Sequence, residues 1–137
     1  MYDEMARKER ERVNNKKLGN DYEQQLCKEL ADAGFWVHNF ANRQNGQPAD
    51  IIAVKNGKSF LIDAKVCSDG KFRLSRIEEN QHLAMKRWRK CGNGSGCFAL
   101  LVDGSTYILP YEAIMMECET VLSNEFIKNV GLGVDEL

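Results

Sequence analysis

Proline is scarce in this chain, 2 in 137 residues, and glycine numbers only 11, so collagen-like, low-complexity and wholly disordered classes are excluded. Long apolar runs are missing too. Stretches such as Cys97 to Val102 span a few residues, whereas a membrane-spanning helix needs about 20. The first residues are charged where a secretion signal would be apolar, so no membrane contact is expected. No CxxC pair occurs among the five cysteines, and an odd count without a leader points to reduced thiols in a cytoplasmic protein. Cys91 and Cys97 flank a Gly-rich loop, but only His38 and His82 remain as further ligands, too few at the right spacing for a structural zinc. An excess of one charge is also absent: 19 Lys plus Arg stand against 20 Asp plus Glu, and a net charge of −1 argues for no polyanionic partner by itself.

What remains is an ordinary globular composition, 43% hydrophobic and 28% charged, at the length of one domain. The even charge conceals a segregation. Residues 71–90 carry seven Lys or Arg against two Glu, a balance of +5, while residues 111–137 carry six acids against Lys128, a balance of −5. Residues 1–17 alternate acids and bases with few apolar anchors and read as a frayed helix or an arm that orders on a partner. The domain proper is expected over 18–137.

From Gly19, Tyr22, Leu26, Cys27, Leu30 and Ala33 recur at helical spacing until Gly34, which predicts a first helix. Phe35 to Phe40 reads as a strand, and Ala41 to Pro48 as a polar loop. A hairpin then stands out: Asp50 to Lys55 and Lys58 to Val66 are β-rich runs separated by Asn56-Gly57, and a two-residue type I′ turn needs positive φ at both positions. Leu74 to Lys90 places Ile77, Ala84, Met85 and Trp88 on one stripe of a second helix. After a loop from Gly92 to Gly96, Phe98 to Val102 and Thr106 to Leu109 form another strand pair through Asp103-Gly104, and an acidic helical region follows from Tyr111. The order predicts an α/β fold, a mixed central β-sheet flanked by helices.

The hairpin register carries the chemistry. If Asn56 and Gly57 form the loop, Lys55 faces Lys58 and Asp50 sits opposite Asp63. Side chains alternate between faces, so Lys65 joins Asp63 on one face with Ile52, Val54 and Leu61. Two carboxylates about 5 Å apart repel by roughly 3 kcal/mol at an effective dielectric of 20. A divalent cation bridging them would offset that repulsion, and hard oxygen ligands select Mg²⁺ or Mn²⁺. The plainer alternative makes Asp50 a loop-end residue and Asp63 with Lys65 a solvated ion pair.

Two more polar residues lie on apolar stripes. Glu23 sits beside the stripe of the first helix, where it is either a third oxygen near the metal or, three residues after Asn20, part of a capping box at a helix start. Gln81 lies in the middle of the inward stripe of the second helix, where its amide needs a partner, whether in the core or on a phosphate or metal-bound water.

Glu23, the Pro48-Ala49-Asp50 start of the hairpin and Asp63-Ala64-Lys65 at its far end resemble, in order and spacing, the PD-(D/E)xK nuclease superfamily. With Gly19 to Glu23 and Phe72 to Gln81 included, the chain looks most like the RecU-type and archaeal Holliday-junction resolvases, whose catalytic hairpin precedes a helix carrying a Gln. The resemblance covers roughly residues 16–112. It implies a restriction-endonuclease-like core and a metal-dependent endodeoxyribonuclease in the cytoplasm. Its substrate would be branched DNA, with a four-way junction opened by paired symmetric nicks. It further implies that Asp50 and Asp63 bind Mg²⁺, for which Mn²⁺ can substitute, helped by Glu23 and the Ala64 carbonyl. Lys65 would orient or deprotonate the attacking water, and Gln81 would position phosphate or water. Lys71, Arg73, Arg76, Lys86, Arg87 and Arg89 would contact DNA phosphates, with Arg43 in the loop before the hairpin as another candidate. Symmetric nicking needs two sites on a two-fold axis, so a homodimer is expected.

Two departures mark the resemblance. RecU-type enzymes insert a long stalk between the first helix and the hairpin, where this chain has only Ala41 to Ala49, and the third motif position is Asp63 where the resolvases more often have Glu. The acidic segment after Tyr111 has no recognisable counterpart. Another repair or flap nuclease of the superfamily, and a non-catalytic nucleic-acid-binding module, are the competing readings. A plain binding face gains nothing by opposing two acids, which separates the last from the others.

Overall fold

The computed structural model describes residues 2–40 and 47–137. Helix α1 runs through Tyr2–Asp32 and strand β1 through Trp36–Asn39. The hairpin is β2, Ile51–Lys55, with β3, Lys58–Val66. A short strand β4, Lys71–Arg73, and a 3₁₀ turn, Leu74–Arg76, lead into helix α2, Glu79–Lys90. Strands β5, Cys97–Val102, and β6, Ser105–Pro110, are followed by helix α3, Tyr111–Met115, strand β7, Val121–Ser123, helix α4, Asn124–Val130, and a 3₁₀ turn at Val134–Glu136.

Five strands form one mixed sheet in the order β1-β2-β3-β5-β6, with β3 and β5 parallel and the other neighbours antiparallel. The mixed sheet flanked by helices is as expected. Asn56 at φ 52° and Gly57 at φ 75° make the two-residue turn of the central hairpin, so Lys55 pairs with Lys58 and the register continues to Ile51 with Ile62. Asp103 at φ 49° and Gly104 at φ 80° repeat the device between β5 and β6.

Alternation along the strands separates two cores. Ile51, Ala53 and Ile62 pack with Tyr22, Leu26 and Leu30 of α1. Leu61, Phe98 and Leu100 pack with Met85 of α2, Phe72 of β4 and Ile127 of α4 on the other face. The two faces are therefore covered by different helices, and a β3 side chain reaches one or the other according to its parity.

Several expected boundaries move. The first helix begins at Tyr2 rather than near Gly19, continuing through residues read as an arm or frayed helix. Its exposed first half has little to bury, but pairs such as Lys8 with Glu4 and Arg7 with Glu11 one turn apart support it. The second helix starts at Glu79, because Lys71–Arg73 is a strand and Leu74–Arg76 a 3₁₀ turn. The acidic region after Tyr111 is not one helix. Val121 pairs with Arg73 and Leu122 with Phe72, which buries Leu122, and the Ser123 hydroxyl then accepts the Phe126 N–H to start α4. Residues 41–46, part of the stretch expected as a polar loop and including Arg43, lie outside the described residues.

Candidate active site

Asp63 occupies the middle of this arrangement. It falls on the α2 face of β3 and is 2% exposed. Its Oδ1 accepts a hydrogen bond from Gln81 Nε2 at 3.1 Å, and Gln81 Oε1 in turn accepts the Glu78 N–H at 3.0 Å. The first turn of α2 thus clamps the Asp63 carboxylate through one amide. Gln81 answers its own burial in this way, and its amide turns to Asp63 and to the helix start.

Asp63 Oδ2 lies 3.1 Å from Lys65 Nζ, a charge contact without hydrogen-bond angles, so that oxygen is buried with no hydrogen bond. The Lys65 side chain is itself only 16% exposed. A solvated ion pair is therefore excluded. Burial, and then the negative charge of Asp50, hold the Asp63 carboxyl well above the usual carboxylate range, with Lys65 pulling the other way.

Asp50 reaches the same place by leaving the ladder. Strand pairing stops at Ile51, so Asp50 and Asp63 are not a regular cross-strand pair as the extrapolated register had it. The Asp50 N–H donates to Ile62 O at 3.1 Å, while its carboxylate Oδ2 accepts the Ala64 N–H at 2.9 Å. The side chain takes over a backbone acceptor position at the end of the hairpin. Asn80 Nδ2 donates to Gln47 O at 2.8 Å and ties the approach to Asp50 onto α2. Ala49 between them is buried.

Glu23 comes from the opposite layer. Because α1 starts at Tyr2, Glu23 lies deep inside a continuous helix, and the capping-box reading fails. It is half-buried, and its carboxyl is pushed up to about 7, first by burial, then by the charge of Asp50, with a further rise from hydrogen bonding to Asp50 and an opposing pull from Lys65. Glu23 and Asp63 thus each interact with Asp50 at the end of the hairpin, with the Lys65 ammonium acting on both.

A cation fits this donor set. All candidate ligands are hard oxygens, and Asp63 Oδ2 is a buried acceptor without a hydrogen bond. Among the described residues no three acidic, histidine or cysteine side chains converge closely enough to cage an ion. The arrangement suits a metal held by one or two carboxylates that keeps several waters, which is how Mg²⁺ is commonly bound.

The basic segment divides into two groups. Arg73 and Arg76 line a groove of about 480 Å³ with Lys65, Ser68 and Asp69, closed on one side by Asn15, Leu18 and Gly19 of α1. Arg73 Nη1 donates to Asp69 at 2.7 Å, and Arg76 Nη1 donates to Val66 O at 2.8 Å with its guanidinium 5.6 Å from the Phe72 ring centroid. Arg76 therefore braces the end of β3 as well as lining the groove. Lys71 sits beside Arg73 on β4, half-buried. Lys86, Arg87 and Arg89 are exposed on α2, and Arg89 lies about 12 Å along the helix from Gln81 at 1.5 Å per residue. Arg89 there contacts Ser95 Oγ at 3.1 Å and Glu112 at 3.6 Å.

Sequence reasoning missed the α1 wall of this groove: Asn15 lies in the stretch read as a frayed helix or an arm, and Leu18 and Gly19, at the start of the expected domain, carry no local signal of a groove. It also missed Asn80, whose bond to Gln47 has no sequence pattern behind it. The five cysteines stand as free thiols. No described helix is long and apolar enough to cross a membrane.

The solved structure of Hjc from Archaeoglobus fulgidus, a Holliday junction resolvase from an archaeal hyperthermophile, matches with a TM-score of 0.60 at 20% identity, covering 82% of this chain and 96% of that chain. At that identity the likeness is one of fold. No curated protein matches the chain. A family model described as archaeal Holliday junction resolvase (Hjc) matches residues 14–131, which takes in β7 and α4 after Tyr111 as well as the groove wall of α1. With a match over that much of its length, the chain belongs to the archaeal Holliday junction resolvase family, whose members are DNA-cutting nucleases.

Proposed function

We propose that the protein cuts four-way DNA junctions as a Mg²⁺-dependent homodimer, placing paired symmetric nicks from two copies of the Asp50, Asp63 and Lys65 site. The observation that carries this reading is the Asp63 carboxylate, buried, without a hydrogen bond at Oδ2, and set against a second carboxylate and an ammonium. A structural role would leave such a group costly, since a buried charge needs full compensation. Nucleases of this family are generally metal-dependent. Asp50 and Asp63 would hold the ion, with Glu23 and the Ala64 carbonyl assisting, and the bound metal would supply a lowered water pKa and counter-charge for phosphodiester hydrolysis. Mn²⁺ substitutes for Mg²⁺ on the same oxygen donors.

The protein's own groups do the rest. Lys65 orients or deprotonates the attacking water and offsets charge developing on the phosphate oxygens. Gln81 is a positioning residue: its bond to Oδ1 leaves Oδ2 of Asp63 turned to Lys65 and the site. Arg73 and Arg76 in the groove, with Lys71 alongside, receive the flanking phosphates, while Lys86, Arg87 and Arg89 form a second, more distant basic surface; Arg43, ahead of the hairpin in sequence, is a further candidate. Two-fold symmetry of the dimer matches the two strands to be nicked. Its five free thiols support work in the cytoplasm.

The test incubates purified protein with a labelled four-way junction, a flap and a linear duplex, each with Mg²⁺ or EDTA. Paired symmetric nicks on the junction alone, only with metal, are the expected result. Equal cutting of flap and duplex would overturn junction selectivity, and cutting in EDTA would overturn the metal role.

A further inference from the structure

Among the described residues, strand β1 is an edge strand, paired with β2. Its residues alternate between the two faces of the sheet. Val37 turns to the α1 core. Trp36 and His38 turn the other way, across from Val54 and Ile52, and both are exposed, Trp36 at 65%. The Trp36 and His38 rings lie 6.4 Å apart, centroid to centroid, with planes within 15° of parallel, and the Phe40 ring stands edge-on to His38 at 5.1 Å. Three rings at i, i+2 and i+4 thus form one row along an open edge. Single exposed aromatics are ordinary on protein surfaces, but an aligned row of three is a patch.

The row is continuous with the candidate site. Ile52, opposite His38, pairs on its other side with Leu61, and Asp63 and Lys65 follow on the same face of β3 two and four residues later. At its end the Phe40 N–H donates to Asp50 O at 2.9 Å, so the last ring joins the backbone of a proposed metal ligand. A nucleic-acid strand lying over Asp50 and Lys65 would continue onto these rings.

We propose that Trp36, His38 and Phe40 form a stacking platform for unstacked nucleobases of the DNA strand beside the cleavage site. The proposal rests on the nuclease reading above. Every base has a π-face, so a ring row binds bases without regard to sequence, as flat side chains do in single-strand-binding proteins. At a branch point, bases freed from their neighbours are the bases available for such stacking.

The experiment uses the full chain in EDTA, so that binding is read without cleavage. Labelled oligo-dT, a four-way junction with unpaired bases at its centre, and a blunt duplex are titrated with wild type, Trp36→Ala and Trp36→Phe. Trp36→Ala should weaken binding of oligo-dT and of the junction by roughly 5- to 100-fold, the range found for removing one stacking ring, while blunt-duplex affinity stays within about 2-fold and Trp36→Phe restores most of the loss. In a Trp88→Phe background Trp36 is the remaining tryptophan of the 2 in the chain, and its emission should be quenched by oligo-dT. Absence of quenching, unchanged oligo-dT binding by Trp36→Ala, or an equal loss on blunt duplex would each overturn the platform. A shift from dimer to monomer on Trp36→Ala, read by sedimentation, would also overturn it by making the row an interface between copies. Wild-type cleavage of the junction in Mg²⁺ is scored separately: no cutting ends the nuclease reading, whereas cutting with wild-type binding by Trp36→Ala ends only the platform.

Discussion

Two regions of this molecule are rich in charge and treat it in opposite ways. Along the first half of α1, Glu4, Lys8, Arg7, Glu11, Glu9 and Arg12 pair within the helix while remaining in water. At the hairpin end, Glu23, Asp50 and Lys65 are partly buried around the fully buried Asp63 and act on one another there. In the first region Glu9 is held below the usual carboxylate range by the Arg12 hydrogen bond; in the second, carboxyls are driven up by burial and by one another. The same side-chain types thus have opposite electrostatics. Solvent screens the α1 pairs one by one, whereas the low-dielectric site couples its groups and draws protons onto its carboxyls, positive charge that a bound cation can replace.

The largest effect that would break this contrast is at Asp63. Asp63→Asn keeps the shape and the oxygen that accepts from Gln81, and it should lower junction cleavage by orders of magnitude while metal-free thermal stability at neutral pH stays level or rises. A variant that still cuts normally would remove Asp63 from the chemistry. Next comes Gln81→Ala, which frees Oδ1 of Asp63 and leaves the Glu78 N–H unpaired. Cleavage should fall by about 10- to 100-fold, the usual cost of losing a group that orients a metal ligand. Because Gln81 acts through Asp63, the Mg²⁺ concentration needed for half-maximal rate should rise as well, and an unchanged metal requirement would reduce Gln81 to a packing residue.

The pH dependence sharpens the same comparison. The folded Asp63 and Glu23 carboxyls bind protons more tightly than in the unfolded chain. Their contribution to stability is therefore complete below the usual carboxylate pKa near 4 and is lost as pH rises through their higher folded values. In EDTA, the melting temperature of Asp63→Asn minus that of wild type should increase from pH 5 to pH 8. A flat difference would mean that the Asp63 proton affinity is ordinary. Arg73→Gln should give a smaller change, reducing the slope of log affinity against log salt by about 1 for one lost phosphate contact. An identical slope would take Arg73 out of the DNA footprint. The smallest expected effect is Glu9→Gln on the exposed helix, which should leave the melting temperature unchanged within error.

The readability of the molecule follows the same division between local and non-local causes. The Asn56-Gly57 turn is legible because positive φ at two adjacent residues is a demand on those residues alone, and from the turn the parity of Asp63 and Lys65 follows by counting. The start of α1 is not legible, since a helix without an apolar stripe has no periodicity to read. Strands β4 and β7 are three residues each and exist because they pair with one another, so neither announces itself in isolation. The position of Asp50 shows the limit most clearly. Extrapolated pairing puts it opposite Asp63, and the chain instead leaves the ladder so that its carboxylate, rather than its backbone, meets the Ala64 N–H.

What the amino-acid order determined by itself was the hairpin, its register and the gathering of acids and an amine near one end, because turn chemistry and strand alternation act over a few residues. Only the tertiary structure decided that these charges are buried, that Gln81 holds Asp63, that Glu23 reaches Asp50 from the other layer and that Trp36 and His38 remain uncovered. Burial and partnership depend on which helix covers which sheet face. That assignment is settled by packing between segments distant in the chain, and no local pattern encodes it.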